Sequence, residues 1–362
     1  MTDPVRLGPV RVGPVQLGAD DLVLALETSC DETAAAVVRG GTEVCSSVVS
    51  SQVDLHAAYG GVVPELASRA HLELVVPVVR QALEVAGCSL APPGSPGRHC
   101  AAVAATAGPG LVGSLLVGVA AAKALAMAWD VPFVGVNHLE GHLYAALLED
   151  PGLALPAVVL LVSGGHSLLV EMTGVGEYRL LGGTVDDAAG EAFDKVARYL
   201  GLGYPGGPAV EAAARHGDPA AVAFTRPMLA EGLALSFSGL KTAVVHHVRA
   251  HPEVATADVA ASFQAAVVDV LVTKALRAAE ATGARSLCLA GGVAANTALR
   301  DAARRAGEEA GLHVYLPSRA MCTDNAAMIA AAAFVRLGRD GPSGLDLGAL
   351  PSLAFPVAPG AA

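Results

Sequence analysis

Apolar and polar positions along the chain follow two different periods, one typical of strands and one typical of helices. Short apolar runs that end at polar or glycine-rich turns predict strands at 21–26, 34–38, 43–50, 103–106, 133–136, 158–162, 168–171, 286–290 and 312–316. Apolar residues at helical spacing, such as Leu72, Val75, Val79 and Leu83, predict a long helix that begins at Pro64. Further helices are predicted at 137–148, 190–202, 207–216, 240–250, 258–282 and 323–337.

The order of these elements predicts an α/β fold with two lobes, each containing a strand–polar turn–strand unit. The sequence shows no clean internal duplication, so any repeat is structural rather than textual. We expect one lobe to comprise 21–135 together with 323–337, and the second lobe to comprise 136–322. The flanking segments 1–20 and 338–362 are rich in glycine and proline and are interpreted as a disordered and a flexible tail.

Composition and charge narrow the class of protein. Apolar residues make up 53% of the chain and the net charge is −11, so a nucleic-acid substrate would require a local basic patch or a partner protein. None of the six cysteines forms a CxxC pair. The longest apolar stretch, 111–129, is interrupted by Gly113, Gly118 and Lys123, which favours a buried helix over a membrane span. We therefore expect a cytoplasmic protein with reduced thiols and no membrane association.

The strongest local signal is the hexapeptide NHLEGH at 137–142. His138 and His142 are four residues apart, so on a helix they share one face, with about 5–6 Å between their Cβ atoms. This spacing suits two imidazoles on one metal ion, although two unrelated surface histidines would produce the same pattern. Metalloproteases of the HExxH type place Glu directly after the first His, whereas here Glu140 lies about 200° around the helix from His138. The motif therefore argues against a protease, and Glu140 is interpreted as a solvated or structural carboxylate.

Other motifs are ambiguous when each is considered alone. The turn SGGH contains Gly164 and Gly165, which permit backbone N–H groups to converge on an anion or simply close a hairpin. Asp31 lies in the polar turn ETSCDET, where carboxylates orient a metal ion or water, or are only solvated. Asp324 is a candidate third metal ligand, although Thr323 or Asp324 would equally cap the next helix.

Three further side chains are candidates for contact with a nucleotide. Asp194 and Glu211 are carboxylates that would accept hydrogen bonds from ribose hydroxyls, and Asn296 follows the glycine-rich turn AGGVAAN. Exposed helix charges and a helix-capping Asn explain the same residues without a ligand.

The motifs together, in their order, resemble the tRNA N6-adenosine threonylcarbamoyltransferase family, once described as glycoprotease-like. The resemblance covers about residues 22–337. It rests on the segments LALETSCDETAAAVV, HAAYGGVVPELASRAH, GPGLVGSLLVG, NHLEGH, LVSGGHS, FDKVARYLGLGYPGGP, SFSGLKTAV, AGGVAANTALR and CTDNAAMIA.

The resemblance implies an actin-like, Hsp70-like and sugar-kinase-like fold around a nucleotide cleft. It implies transfer of threonylcarbamoyl from threonylcarbamoyl-adenylate to N6 of adenosine 37 in tRNAs that read codons beginning with A. It also implies one divalent metal ion, described as iron with zinc as the alternative, on His138, His142 and Asp324. The implied substrate-binding residues are Leu161, Val162, Ser163, Gly164, Gly165, Asp194, Gly207, Glu211 and Asn296.

The resemblance further implies partners. These are a paralogous inactive subunit (TsaB-like) and a small P-loop ATPase (TsaE-like), which would add surface for tRNA binding. Asp31 is the candidate for orienting or accepting a proton. The alternatives are a metalloprotease, which HLEGH disfavours, and a non-catalytic nucleotide-binding scaffold, for which loss of the metal ligands would be expected.

Overall fold

The computed structural model describes residues 13–150 and 152–356, which form two five-stranded sheets with helices on and between them. The first sheet has the strand order β3-β2-β1-β4-β5. Its strands are β1 (Leu22–Glu27), β2 (Glu32–Arg39), β3 (Glu43–Ser51), β4 (Ala102–Gly108) and β5 (Phe133–Asn137). β1 pairs antiparallel with β2 and parallel with β4, and β4 pairs parallel with β5.

The second sheet repeats this topology with later strands. Its strands are β6 (Ala157–Val162), β7 (Ser167–Gly174), β8 (Glu177–Gly183), β9 (Ser286–Ala290) and β10 (His313–Tyr315), in the order β10-β9-β6-β7-β8. β6 pairs antiparallel with β7 and parallel with β9, as β1 does with β2 and β4. The predicted α/β class and the structural repeat are therefore confirmed, and the duplicated topology is the one expected of the actin-like fold.

The helices of the described residues cover the sheets and fill the space between them. They are α1 (Val53–Ala57), α2 (Pro64–Val85), α3 (Val112–Trp129), α4 (His138–Glu149), α5 (Ala189–Tyr199), α6 (Gly206–Ala214), α7 (Ser238–Ala250), α8 (Thr256–Thr282), α9 (Thr297–Glu309), α10 (Arg319–Cys322) and α11 (Ala326–Arg339). A short 3₁₀ turn spans Gly292–Ala295.

α4 and α11 form a central layer between the two sheets. They pack against each other, and one apolar cluster joins them to residues of both sheets, including Val23 and Leu161. The close approach of the two helices uses small residues. A Cβ at Gly141 would lie 2.6 Å from the Ile329 side chain, and α11 is a run of buried alanines. The helix that begins at His138 is therefore held rigidly inside the molecule.

Two helices, Val112–Trp129 and Thr256–Thr282, are long and apolar enough to cross a membrane by those criteria alone. Each packs against a sheet of the folded body: α3 against β4 and α8 against β6. Burial of the most apolar window is 44% for the first and 72% for the second. Both therefore pack as helices of the core, as the sequence analysis expected for 111–129.

One strand of the structure was not predicted, and one predicted helix is divided. β8 was not predicted, because it is an edge strand in which Tyr178 alone is buried and no regular apolar alternation marks it. The predicted helix at 323–337 is divided instead. α10 ends at Cys322 and α11 begins only at Ala326, because the Asn325 side chain caps α11 by accepting from the Met328 N–H at 3.0 Å.

The described parts of both terminal segments pack against the body, whereas the sequence analysis expected tails. The Val15 N–H donates to the Leu337 carbonyl at 2.8 Å, and the Asn137 side chain donates to the Ala354 carbonyl at 2.9 Å. Residues 1–12 and 357–362 lie outside the described residues. The division into lobes stays a prediction, and its boundary at 135/136 falls inside β5.

The central layer contains a buried ion pair. One of its members is Glu140, which the sequence analysis interpreted as a solvated or structural carboxylate. Glu140 on α4 is fully buried and accepts from Arg336 on α11 at 2.9 Å. Burial raises the pKa of Glu140, and the Arg336 charge opposes that rise. Glu140 is therefore a structural residue that ties α4 to α11.

Replacing Arg336 by Met should lower the free energy of unfolding by about 3 kcal/mol, because it leaves the Glu140 carboxylate buried without its counter-charge. Urea denaturation at neutral pH measures the change. The double variant with Glu140→Gln should recover part of the loss, since no charge is then buried. Equal stability of the Arg336→Met variant and the parent would contradict the structural role of the pair.

Candidate metal centre and substrate cleft

His138, His142 and Asp324 meet at one point at the start of α4. The Asn137 side chain caps this helix by accepting from the Leu139 N–H at 2.9 Å, which fixes the first turn that carries His138. The two histidine rings pack edge to face with 4.8 Å between their centroids. Asp324 Oδ1 lies 3.4 Å from His138 Nε2 and 3.2 Å from His142 Nε2. The structure thus brings Asp324, which is remote in sequence, to the two histidines of α4.

Asp324 is free to act as a ligand because a neighbouring residue performs the capping. The sequence analysis left open that Thr323 or Asp324 caps the following helix, and the structure assigns that role to Asn325. Asp324 therefore lies in the extended connection between α10 and α11, with its carboxylate directed at the histidines.

The geometry and the unsatisfied atoms of this group fit a metal ion. Ligand atoms about 2.0–2.1 Å from a tetrahedral metal lie roughly 3.3 Å from one another, and the two distances to Asp324 bracket that value. His142 is fully buried, yet neither of its ring nitrogens forms a hydrogen bond with the described part of the chain. A buried imidazole without a hydrogen-bond partner is costly unless a ligand satisfies it. Two histidines and one carboxylate form a donor set for iron or zinc that leaves positions open for substrate oxygens.

Charge on the carboxylates sets the protonation of the centre. Burial disfavours the charged form of His138, but Asp324 and Glu27 outweigh it and raise the pKa of His138 well above its ordinary value. Burial likewise opposes ionisation of Asp324, and the His138 charge lowers the pKa of Asp324 below its usual range. The two carboxylates therefore favour the protonated form of His138 when no metal ion is bound.

Two adjacent carboxylates, Asp31 and Glu32, lie where the turn after β1 leads into β2. Burial, together with the charges of Asp324 and Asp31, raises the pKa of Glu32 to about 9. Glu32 also accepts from the Ser51 hydroxyl at 3.1 Å. Glu32 is thus a neutral acid at pH 7 close to the metal centre. The sequence analysis gave it no role, since its protonation depends on Asp324, which is remote in sequence.

The glycine turn of the second sheet opens toward the same centre. Leu161 and Val162 are fully buried at the end of β6, and Ser163, Gly164 and Gly165 follow them directly. A Cβ at Gly164 or Gly165 would meet no atom within 4 Å. Burial lowers the pKa of His166, and the His138 and His142 charges lower it further, which indicates that His166 lies near the metal centre.

The remaining candidate residues form two adjacent groups in the second half of the chain. Asp194 Oδ1 accepts from the Gly206 N–H at 2.8 Å, beside Gly207. Glu211 Oε1 accepts from the Thr297 N–H at 3.3 Å, next to Asn296. Asn296 caps α9 through Oδ1 and donates to Gln264 at 2.8 Å, so its side-chain amide already has structural partners.

These groups lie opposite residues of the first sheet and its loops. The Arg198 guanidinium donates to the Gly60 carbonyl at 2.7 Å, which joins α5 to the loop before α2. Burial raises the pKa of Tyr204, and the negative charges of Asp31 and Asp194 on opposite sides of the cleft raise it further. The metal centre and Asp31 therefore lie on one side of this contact and Asp194 with the glycine turn on the other, and we refer to the region between them as the cleft.

The affinity for a divalent metal should fall about tenfold for each pH unit below neutrality, because each ion must displace the proton that the raised pKa keeps on His138. Zinc titrations from about pH 6 to about pH 8, with calorimetry in buffers of different ionisation enthalpy, would measure the affinity and the proton release. Affinity that does not change over this range would show that His138 does not exchange a proton for the metal.

Comparison of the sequence with known proteins finds relatives that match along most of the chain. A family model described as TsaD, tRNA N6-adenosine threonylcarbamoyltransferase, matches residues 43–331. The chain is 55% identical over 342 residues to the tRNA N6-adenosine threonylcarbamoyltransferase of Symbiobacterium thermophilum, covering 94% of this chain and 98% of that protein. It is 56% identical over 336 residues to the protein of the same name from Moorella thermoacetica, covering 91% and 96%.

Solved structures of low sequence identity share the fold. The chain matches the HypF of T. kodakarensis with a TM-score of 0.61 and 16% identity, and full-length HypF in a phosphate- and nucleotide-bound form with a TM-score of 0.60 and 13% identity. Each match covers 90% of this chain, which spans about half of the HypF chains, with 48% and 47% covered. These matches bear on the fold alone.

Proposed function

The chain belongs to the tRNA N6-adenosine threonylcarbamoyltransferase family, and we propose that the cleft beside His138 carries out the transfer with the help of a divalent metal ion. The protein is a transferase that modifies tRNA by forming N6-threonylcarbamoyladenosine. The observation that carries the assignment of the site is the meeting of His138, His142 and Asp324 at the edge of a cleft between two duplicated sheets.

We propose that the donor is threonylcarbamoyl-adenylate and that the acceptor is adenosine 37 of tRNAs reading codons that begin with A. The N6 amine forms a bond to the carbamoyl carbon while the bond from that carbon to the AMP phosphate oxygen breaks. The amine is a poor nucleophile, since its lone pair is delocalised into the ring. Orientation of the two substrates and stabilisation of charge on the leaving phosphate therefore supply most of the catalysis.

The residues of the two walls would have different roles in the transfer. His138, His142 and Asp324 would hold the metal ion, expected to be iron with zinc as the alternative, which supplies positive charge to the phosphate side of the donor. The open turn of Ser163, Gly164 and Gly165 would present backbone N–H groups to the activated substrate.

The second wall would bind the nucleoside part of the donor. Asp194 and Glu211 would accept hydrogen bonds from the ribose hydroxyls, and Gly207 would leave space for the sugar. Asn296 would contact the nucleoside while its side chain keeps its bonds to Gln264 and to the Leu299 N–H at the start of α9. Burial raises the pKa of Asp194, which lies in a partly desolvated position suited to a neutral sugar hydroxyl.

Asp31 remains the proposed residue that orients the amine or accepts its proton. Glu32 is protonated at neutral pH and cannot serve as that acceptor in the same state. The two neighbouring acids would therefore have different tasks, with Asp31 accepting and Glu32 donating a hydrogen bond.

The structure disfavours the two alternative functions. An HExxH metalloprotease uses the Glu that directly follows the first His as its general base. Here Leu139 has that position, and Glu140 is buried against Arg336 in the central layer. A degenerate scaffold would be expected to lose ligands, whereas all three are present and converge.

The central experiment measures formation of threonylcarbamoyladenosine on tRNA from the synthetic adenylate, with the partner proteins present. The His138→Ala, His142→Ala double variant should lose bound metal and lose activity by at least about 100-fold, since two of three ligands are gone. The matched control is His216→Ala, an exposed histidine away from the cleft. Full activity of the double variant would refute the metal site, and absence of product with the parent protein would refute the proposed donor.

We also propose that the chain works with a paralogous inactive subunit (TsaB-like) and a small P-loop ATPase (TsaE-like), in the cytoplasm where tRNA is modified.

An apolar surface on α2 and α3 supports a protein partner. Leu72 and Val76 share one face of α2, Val112 and Leu116 share one face of α3, and all four are more than half exposed. The two helices pack side by side, so these side chains form a patch of the kind that marks interfaces. The partner would also supply the basic surface for tRNA that a chain of net charge −11 needs.

Replacing Leu72 and Val76 by Ser should weaken binding to the paralogous subunit by at least about tenfold, because exposed apolar side chains on one helix face then no longer bury against it. Size-exclusion chromatography and calorimetry with the purified subunit measure the change. Val175→Ser, which alters an exposed valine in the second sheet, is the control. Unchanged affinity in the double variant would place the partner elsewhere.

A further inference from the structure

A buried row of polar side chains links three neighbouring strands to the metal centre. Glu27 is the last residue of β1, Thr106 lies near the end of β4, and His138 follows β5 directly. These strands are parallel neighbours in the sheet, so their carboxyl ends meet at one edge. Glu27 and Thr106 are at most 1% exposed, which excludes solvent as a partner for either side chain.

Both oxygens of the Glu27 carboxylate have hydrogen-bond partners within the protein. Oε2 lies 2.9 Å from His138 Nδ1 and accepts from the Thr106 hydroxyl at 2.6 Å. Oε1 accepts from the Ser29 backbone N–H at 2.5 Å. The Ser29 hydroxyl also approaches His138 Nδ1, but at 3.3 Å and without a charge. The carboxylate is therefore the stronger partner of Nδ1.

We propose that Glu27 is a positioning residue for the metal centre, one that holds the hydrogen of His138 on Nδ1 and so keeps the Nε2 lone pair directed at the ion. An ionised carboxylate is only an acceptor, so the ring nitrogen facing it must carry the hydrogen. His138 Nε2 then faces Asp324 and His142, where the ligand atoms converge. Outer partners of this kind fix the tautomer and the orientation of a metal-bound histidine. The inference rests on the proposed metal site.

The two histidines are held unequally as a result. His138 is anchored through Nδ1 to Glu27, whereas His142 Nδ1 has no hydrogen-bond partner in the described part of the chain. The Nδ1 side of the His142 ring is held by packing, since His142 is completely buried. Glu27 should therefore act on the metal through His138 and not through His142.

The neighbours of Glu27 determine what an amide would do in its place. The Ser29 backbone N–H is fixed and must face an oxygen, so in a Glu27→Gln variant the NH₂ group turns toward Thr106 and His138. The NH₂ group would donate to His138 Nδ1 and force the ring hydrogen onto Nε2. A histidine protonated at Nε2 cannot bind the ion through that atom, although the variant has nearly the size and shape of the parent.

The Glu27→Gln variant should bind Zn²⁺ about 10–100-fold more weakly than the parent in chelator-competition titrations without tRNA or adenylate, which is the usual loss for such a partner. With Co²⁺, the visible absorption bands should shift because the coordination of His138 changes. Glu171→Gln is the matched control, since Glu171 on β7 is also buried but bonds to Arg179 in the second sheet, and its affinity should match that of the parent.

A double-variant cycle separates positioning from general loss of structure. In a His138→Ala background, Glu27→Gln should have no further effect on Zn²⁺ affinity, because the side chain through which it acts is absent. An equal effect of Glu27→Gln with and without His138 would overturn the proposal.

The parent protein alone provides a test that does not depend on folding of the variant. In the Zn²⁺-loaded parent, ¹⁵N-histidine NMR should show His138 with its hydrogen on Nδ1 and the metal on Nε2, and metal on Nδ1 would overturn the proposal. Equal Zn²⁺ affinity of the parent and a folded Glu27→Gln variant would overturn the positioning role alone. A parent that binds no divalent metal would overturn the metal site itself.

Discussion

The packing of α4 against α11 between the two sheets is the constraint on which the candidate site depends. α11 presents a run of alanines and α4 presents Gly141, so the two backbones approach closely. This places His138 and His142, at the start of one helix, beside Asp324, which directly precedes the capped start of the other. A larger residue at this crossing would separate the ligands, since the interior has no space to absorb it.

The duplicated topology explains why both walls of the cleft carry turns suited to charged ligands. In each half, the first strand pairs with a hairpin partner on one side and with parallel strands on the other. The carboxyl ends of the parallel strands bring Glu27, Thr106 and His138 to one edge in the first sheet, and the turn after β6 to the corresponding edge in the second. Ligands of open α/β sheets bind at such edges. The first half carries acidic and imidazole side chains there, and the second half carries glycines.

Burial of charge is concentrated around the centre and is compensated locally. Glu27 and Asp324 both face His138. The His138 charge favours the ionised form of each carboxylate, and the two carboxylates favour the charged imidazole against the cost of burial. Glu32 lies beside an excess of negative charge and is held neutral instead. The centre therefore offers both a charged metal-binding group and an uncharged acid within a short distance, a combination that acyl transfer to a weak amine can use.

The sequence by itself determined the class of fold, the helix with His138 and His142 on one face, and the identity of Asp324 as a candidate ligand. Local periodicity and spacing carry that information, and the order of the motifs carried the resemblance. Tertiary structure alone decided which of the residues before α11 caps the helix, because Thr323, Asp324 and Asn325 are all competent caps. It also decided the roles of Glu27, Glu32 and Glu140. Each is an ordinary glutamate in the sequence, and its partner is far away along the chain. Whether such a carboxylate is ionised, neutral or structural depends on burial and on that remote partner, which no local pattern records.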